Sequence, residues 1–121
     1  MPLETGTWTI NTNGRVGQLT INAVDTSGNL SAIFLLSGTP TQSIQGFWDE
    51  TSQKITFYVL GIGAVQVYTG FLFQDQFRIT GVTGSVVFTL AGTFQLFGKY
   101  GDLVGIARRN LFGWYAQIGL E

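Results

Sequence analysis

The sequence predicts an all-β protein, an eight-stranded antiparallel sheet that follows an up-and-down (meander) order and closes into a barrel. Three observations predict it. Apolar and polar residues alternate with a period of two along most of the chain. The alternating segments are short and are separated by clusters of Gly, Asn, Asp, Ser and Thr. No segment has a sustained apolar period of 3.6 residues, so we expect very little helix.

The first four predicted strands each stop at a cluster of turn-forming residues. Residues 7–10 alternate and end at the Asn- and Gly-containing segment 11–14. Residues 18–23 place Leu19, Ile21 and Ala23 on one face and are followed by Asp25 and Gly28. Residues 30–36 stop before a Gly and a Pro, and residues 44–48 stop before the polar segment 49–53. These residue types favour turns, so short connections are expected throughout.

The last four predicted strands, residues 54–60, 65–73, 86–97 and 112–118, are rich in β-branched and aromatic residues. Residues 55–74 carry no charge and have the length of a transmembrane helix. Three glycines interrupt this stretch, and its composition favours two strands joined at Gly61 and Gly63. The pattern is weaker in residues 75–85 and 98–110, where 77–80 could be an extra strand and 103–109 a helical turn or a strand extension.

Short connections favour pairing between strands that are neighbours in sequence. An open sheet of eight strands would leave two exposed edges, and closure into a barrel removes them. A two-sheet sandwich is the competing packing. We expect residues 1–121 to form one domain of this kind.

The composition excludes several classes of function. The 121 residues include no Cys and no His, so disulfides, imidazole or thiolate metal sites and histidine-based triads are absent. Six basic and seven acidic residues give no patch for nucleic acid. Asp49 and Glu50 fall together in a predicted turn, and Arg108-Arg109, the one basic doublet, is expected to face solvent. We therefore expect a non-enzymatic protein without a cofactor, not bound to a membrane, and cytoplasmic by default because the chain opens without a signal-peptide pattern.

Several short motifs follow one another along the chain. It opens with Gly6-Thr-Trp8, continues through residues 19–30 to Gly46-Phe-Trp-Asp49, and then has Val67-Tyr-Thr-Gly-Phe71. In this order they resemble the opening Gly-x-Trp and strands two, three, four and six of the avidin/streptavidin group, relatives of the lipocalins in the calycin superfamily. Trp114 resembles a Trp that reaches a neighbouring subunit's pocket in that group. The resemblance implies an eight-stranded up-and-down barrel.

The positions that bind biotin in that family carry other side chains here. A third-strand Tyr and an Asn after the first Trp donate to the ureido oxygen there. Phe34 has no hydroxyl to donate, and Asn11 is one residue out of register, which reverses its face in a strand. The fifth-strand Trp is replaced by Val59, and the late Asp would fall beyond Glu121. We therefore expect the barrel to be shared and biotin binding not to be.

A barrel of eight strands is filled by side chains or holds one small ligand. We expect a small, largely apolar guest, with Tyr68, Trp48 and Asn11 orienting it. Trp8 is expected to plug one end of the barrel. The candidate ligand-binding residues are Asn11, Phe34, Trp48, Gln66, Tyr68 and Trp114.

The sixth strand is apolar on both faces. Gln66 and Tyr68 are expected inward, and Val67, Phe71 and Phe73 outward. An apolar exterior indicates an interface, so we expect self-association, with Trp114 and Tyr115 contributing to it. Two alternatives stay open, namely a structural or protein-interaction module with a filled barrel, and a carbohydrate-binding domain that uses exposed aromatic side chains.

Overall fold

A computed structural model of the chain describes residues 2–61, 64–79, 82–98 and 112–120. Among these residues there are eight β-strands and no helix, and therefore no helix that could cross a membrane. The strands are β1 (Gly6–Thr12), β2 (Arg15–Val24), β3 (Asn29–Leu36), β4 (Gln42–Asp49), β5 (Lys54–Gly61), β6 (Ala64–Ile79), β7 (Val82–Gly98) and β8 (Phe112–Leu120).

The eight strands pair in chain order, every pair is antiparallel, and β8 returns to pair with β1. Four pairs of Cα partners close the sheet, from Thr9 opposite Gln117 to Thr12 opposite Trp114. The predicted meander barrel is therefore confirmed, and the sandwich is not formed. Closure satisfies the backbone hydrogen-bonding groups that an open sheet would expose at its two edges.

The hairpin of β6 and β7 is longer than the sequence pattern predicts. These strands have 16 and 17 residues, and residues 77–79 continue β6 instead of forming a separate strand. β5 pairs with β6 only as far as Phe71, opposite Lys54. Beyond this pair of partners, the described part of β6 pairs with β7 alone. The predictions for residues 103–109, for Arg108-Arg109 and for the turn at Gly63 lie outside the described residues.

Alternate residues of every strand point inward and form one continuous core. Trp8 is completely buried in this core, and its indole Nε1 donates a hydrogen bond to the Glu4 carbonyl at 3.1 Å. Leu3 is also buried, so the N-terminal segment packs over the end of the barrel at which β1 begins. The expected plug at Trp8 is consistent with this arrangement.

A row of two glycines and one tryptophan crosses the wall of the barrel. Gly70, Gly92 and Trp114 are Cα partners on β6, β7 and β8. A Cβ added at Gly70 would lie 2.6 Å from Cζ2 of Trp114, and a Cβ added at Gly92 would lie 1.9 Å from the Thr69 carbonyl oxygen. The Trp114 ring therefore occupies space that exists because Gly70 has no side chain, and the missing side chain at Gly92 lets the backbones of β6 and β7 approach each other closely. Large rings beside strand glycines are a known means of stabilising curved sheets.

We predict that Gly92→Ala destabilises the barrel by about 1–3 kcal/mol or more, because its methyl group must displace backbone atoms of β6. The matched control is Gly113→Ala on the neighbouring strand, where an added Cβ meets nothing within 4 Å. Urea unfolding followed by tryptophan fluorescence measures both. Equal stability of the two variants would contradict the close approach of β6 to β7 at Gly92.

Candidate functional site

One end of the barrel, here called the mouth, has two adjoining cavities. It lies at the β1–β2 turn (residues 13–14) and the β3–β4 connection (residues 37–41). The larger cavity has a volume of about 580 Å³ and the smaller about 200 Å³. They share Arg15, Leu36 and Gln66 as lining residues, so they open at the same end of the barrel. Volumes of this size are typical of sites for small ligands.

A layer of stacked aromatic rings forms the floor of the mouth. Phe57, Tyr68, Phe94 and Phe112 are Cα partners in one row across β5 to β8. Consecutive ring centroids in this row lie 4.6, 4.6 and 5.1 Å apart, and each pair is stacked. The Trp114 ring meets Phe57 and Tyr68 edge-on at 5.3 and 5.7 Å. The middle of the barrel is therefore filled by side chains, and the space for a guest lies above this floor.

Three polar side chains form a short hydrogen-bonded chain at the floor. The Tyr68 hydroxyl donates to Oε1 of Gln66 at 2.9 Å. Because a phenol has one hydrogen to donate, the Thr12 hydroxyl donates to the Tyr68 oxygen, at 2.8 Å. Thr12 and Tyr68 are both buried, whereas Gln66 is half-buried. The amide nitrogen of Gln66 has no hydrogen-bond partner among the described residues.

Burial changes the acidity of the phenol in this chain. It raises the pKa of Tyr68 from 10.0 to about 12, and the hydrogen bond from Thr12 and the positive charge of Arg15 oppose only part of that rise. Tyr68 is therefore a neutral hydrogen-bonding group near pH 7. It can orient a ligand, but it is a poor general acid or base at that pH.

Arg15 is the one charged residue among the described residues that line the two cavities. The Asn13-Gly14 turn, with positive φ at both residues, places Thr12 directly opposite Arg15. Arg15 lies an even number of residues before the buried Leu19 on β2. Because side chains alternate along a strand, the Arg15 side chain leaves the backbone on the inward face. Its Nη2 donates to the Ser37 carbonyl at 3.0 Å, which holds the guanidinium at the rim of the mouth.

The opposite end of the barrel has a cavity of about 450 Å³ and a different chemistry. Trp48 lines it, and the indole nitrogen of Trp48 is buried without a hydrogen-bond partner. The carboxylates of Asp25 and Asp49 accept hydrogen bonds from backbone N–H groups in their own turns. Asp49 and Glu50 are exposed, as predicted for a hairpin turn. No group of three or more metal-ligating side chains occurs within the described ranges.

The structure brings three of the six predicted site residues together. Phe34, Gln66 and Tyr68 all line the mouth. Trp48 lies at the other end of the barrel, so it cannot orient the same small guest as Tyr68. The expectation that Tyr68, Trp48 and Asn11 act on one ligand is therefore wrong.

The two remaining predicted site residues, Asn11 and Trp114, are not among the described residues that line the mouth. Asn11 follows the inward Ile10, and its Oδ1 accepts a hydrogen bond from the Gly14 backbone N–H at 2.9 Å. Trp114 is 3% exposed, and its Nε1 donates to the Thr69 and Thr93 carbonyls at 3.1 and 3.2 Å. The side chain of Trp114 thus lies inside its own barrel, and the expectation that it belongs to the outer surface is wrong. Tyr115 is the outward neighbour, at 48% exposure.

Several residues of the mouth were not predicted from the sequence. Thr12 and Arg15 could have been found, because alternation from Trp8 places Thr12 inward and a two-residue turn then pairs it with Arg15. The others needed the cross-strand register, which the sequence pattern does not contain. They include Leu36, Thr41, Phe94, Leu96 and Phe112.

Comparison of the chain with protein-family models, with curated proteins and with solved structures finds no match. The class of the protein is therefore given by its architecture, an eight-stranded antiparallel closed β-barrel with an apolar mouth.

We predict that the folded barrel loses stability as the pH rises from about 10 to about 12. The unfolded chain releases the Tyr68 proton near pH 10, whereas the folded chain retains it until about pH 12. The free energy of unfolding attributable to this group is unchanged below pH 10 and falls by up to about 1.4 kcal/mol per pH unit above it. Urea unfolding of the native protein and of Tyr68→Phe across this range measures the difference. Parallel pH profiles for the two proteins would contradict a buried phenol.

Proposed function

We propose that the protein is a non-enzymatic barrel that binds one small, largely apolar ligand in its mouth. The observation that carries this proposal is the pair of adjoining cavities above the aromatic floor, lined mainly by apolar side chains. A preformed concave site with a few convergent polar groups is typical of ligand-binding proteins. The ligand would rest on the floor, and would not be enclosed in the middle of the barrel.

The walls and the polar groups of the mouth suit different parts of such a ligand. Phe34, Leu36 and Val59 line the larger cavity and are all buried, so they offer a preformed apolar wall. Gln66 and Tyr68 supply a polar handle on one side of it. Burial of apolar ligand surface against the wall provides the affinity, at about 25 cal/mol per Å², and the polar groups set the orientation.

We further propose that the barrel is of the avidin and lipocalin type and that biotin is not its ligand. The strand order and the Gly6-Thr-Trp8 opening support the first statement. Phe34 on the inner side of β3 and Asn11 next to the inward Ile10 support the second, because Phe34 has no donor and Asn11 starts from the outer side of β1. An unmet hydrogen bond of that kind costs about 1–3 kcal/mol.

Self-association through the outer face of β5 to β8 is a second proposal, and it fits the protein-interaction alternative. Five large apolar side chains of this face are exposed, between threonine and glutamine residues, and Lys54 is the one charge in residues 54–60, 65–73, 87–97 and 113–119. The filled middle of the barrel supports a structural role as well. The carbohydrate alternative has less support because all three tryptophans are buried. The exposed large apolar residues on the outer face of β5 to β8 are Tyr58, Leu60, Phe71, Phe73 and Tyr115.

A ligand panel tests the first proposal. The panel contains small apolar molecules, neutral and charged, and binding is measured by thermal shift and calorimetry. Leu96→Trp, at a half-buried position in the mouth, should weaken binding about tenfold or more by filling the smaller cavity. Val24→Trp, at a half-buried position in the cavity of the opposite end, is the matched control and should leave affinity unchanged. Loss of binding in the Val24 variant alone would place the ligand at the end opposite the mouth and would contradict the proposal.

The association proposal has its own test. Phe73 and Val16 are both 54% exposed, on β6 and on β2 respectively. We expect Phe73→Lys, alone or with Phe71→Lys, to shift the protein to a smaller species in light scattering coupled to gel filtration. Val16→Lys should not shift it. A native protein that is monomeric at all concentrations would contradict the proposal.

A further inference from the structure

We infer that the ligand of the mouth carries an anionic carboxylate head group, bound by the Arg15 guanidinium, on an apolar body that rests on the aromatic floor. This inference rests on the proposed function and specifies the chemical class of its ligand.

The hydrogen-bonding groups of the mouth that remain free are mainly donors. Both atoms of the Gln42 amide are bonded to the backbone of Leu60, at 3.0 and 3.1 Å. The Thr39 hydroxyl donates to the Leu36 carbonyl at 2.9 Å. These wall groups are therefore already satisfied by the protein itself.

Among the described lining residues, four side chains are left to meet a ligand. Arg15 has five N–H donors, one of which is directed to Ser37, and the Gln66 amide contributes two more. The Thr41 hydroxyl and the Asn13 amide, each of which can donate or accept, are the other two. A ligand group that accepts several hydrogen bonds suits this set, and a carboxylate matches the planar fork of a guanidinium.

The sign of the charge leads to the same class of ligand. Arg15 forms no ion pair with a described residue, and no Asp or Glu is among the described residues that line either cavity. The cavity at the opposite end has the reverse character, because its described lining contains Asp25, Asp49 and Glu50 and no basic residue. An organic anion is thus attracted to the mouth and disfavoured at the other end.

The distribution of apolar surface requires the rest of the ligand to be hydrophobic. Arg15 stands at the rim, while the wall of Phe34 and Val59 and the floor of Phe94 lie deeper. A molecule bound by its carboxylate at Arg15 would place its body against these side chains. A small hydrophilic anion would leave that apolar surface without a partner, so it should bind weakly.

Octanoate and octanamide form a matched pair of probes, with the same body and with a charged or a neutral head. We expect calorimetry to give tighter binding of octanoate by about tenfold to a hundredfold, as for a charged hydrogen bond. Arg15→Gln should remove this preference while changing octanamide affinity less than about threefold. Arg15→Lys should retain part of the preference, because it keeps the charge but loses the fork. Arg15 is exposed, so these variants should fold, and unchanged thermal unfolding checks that.

Equal affinities for octanoate and octanamide, unchanged by Arg15→Gln, would overturn the inference and leave the proposed function standing. So would binding of neutral members of the panel in the mouth with no binding of octanoate. If no member of the panel binds at all, the proposed function fails and this inference fails with it.

Discussion

The pairing of β1 with β8 is the constraint on which the rest of the structure depends. It joins strands from the two ends of the described chain through four pairs of Cα partners, and it turns a meandering sheet into a wall with an inside. Without it, Trp8 and Trp114 would stand on opposite edges of an open sheet. With it, every inward side chain faces others across the barrel, and the apolar residues of eight strands form one core.

The aromatic floor then divides the interior along its axis. Stacked rings from β5 to β8 and the Trp114 ring fill the middle, which is possible because Gly70 leaves room for that ring. Filling the middle confines open space to the two ends. The ends differ in charge because Arg15, the first residue of β2, lies at one end, while Asp25, in the β2–β3 turn, and Asp49, the last residue of β4, lie at the other.

Much of the fold could be predicted from the sequence, because alternation with a period of two reports which face a residue occupies. Tyr68 is inward and Phe71 and Phe73 are outward, as predicted. Alternation does not report height along the barrel axis. Tyr68 and Trp48 both point inward, yet they line opposite ends, because height depends on the stagger between strands and therefore on hydrogen-bond register. The prediction of a single site that contained both residues failed for this reason, and the extension of β6 was missed because the alternation in the sequence is weaker in residues 75–85.

One closed sheet surrounds an interior that is filled with aromatic rings. Nuclear Overhauser contacts between protons of different strands, measured by nuclear magnetic resonance, test this arrangement. We expect backbone contacts between β1 and β8 in the register that places Thr9 opposite Gln117, together with ring contacts between Tyr68 and Phe94. Complete backbone assignments with no contact between β1 and β8, and with rapidly exchanging amide protons along both strands, would show an open sheet and contradict it.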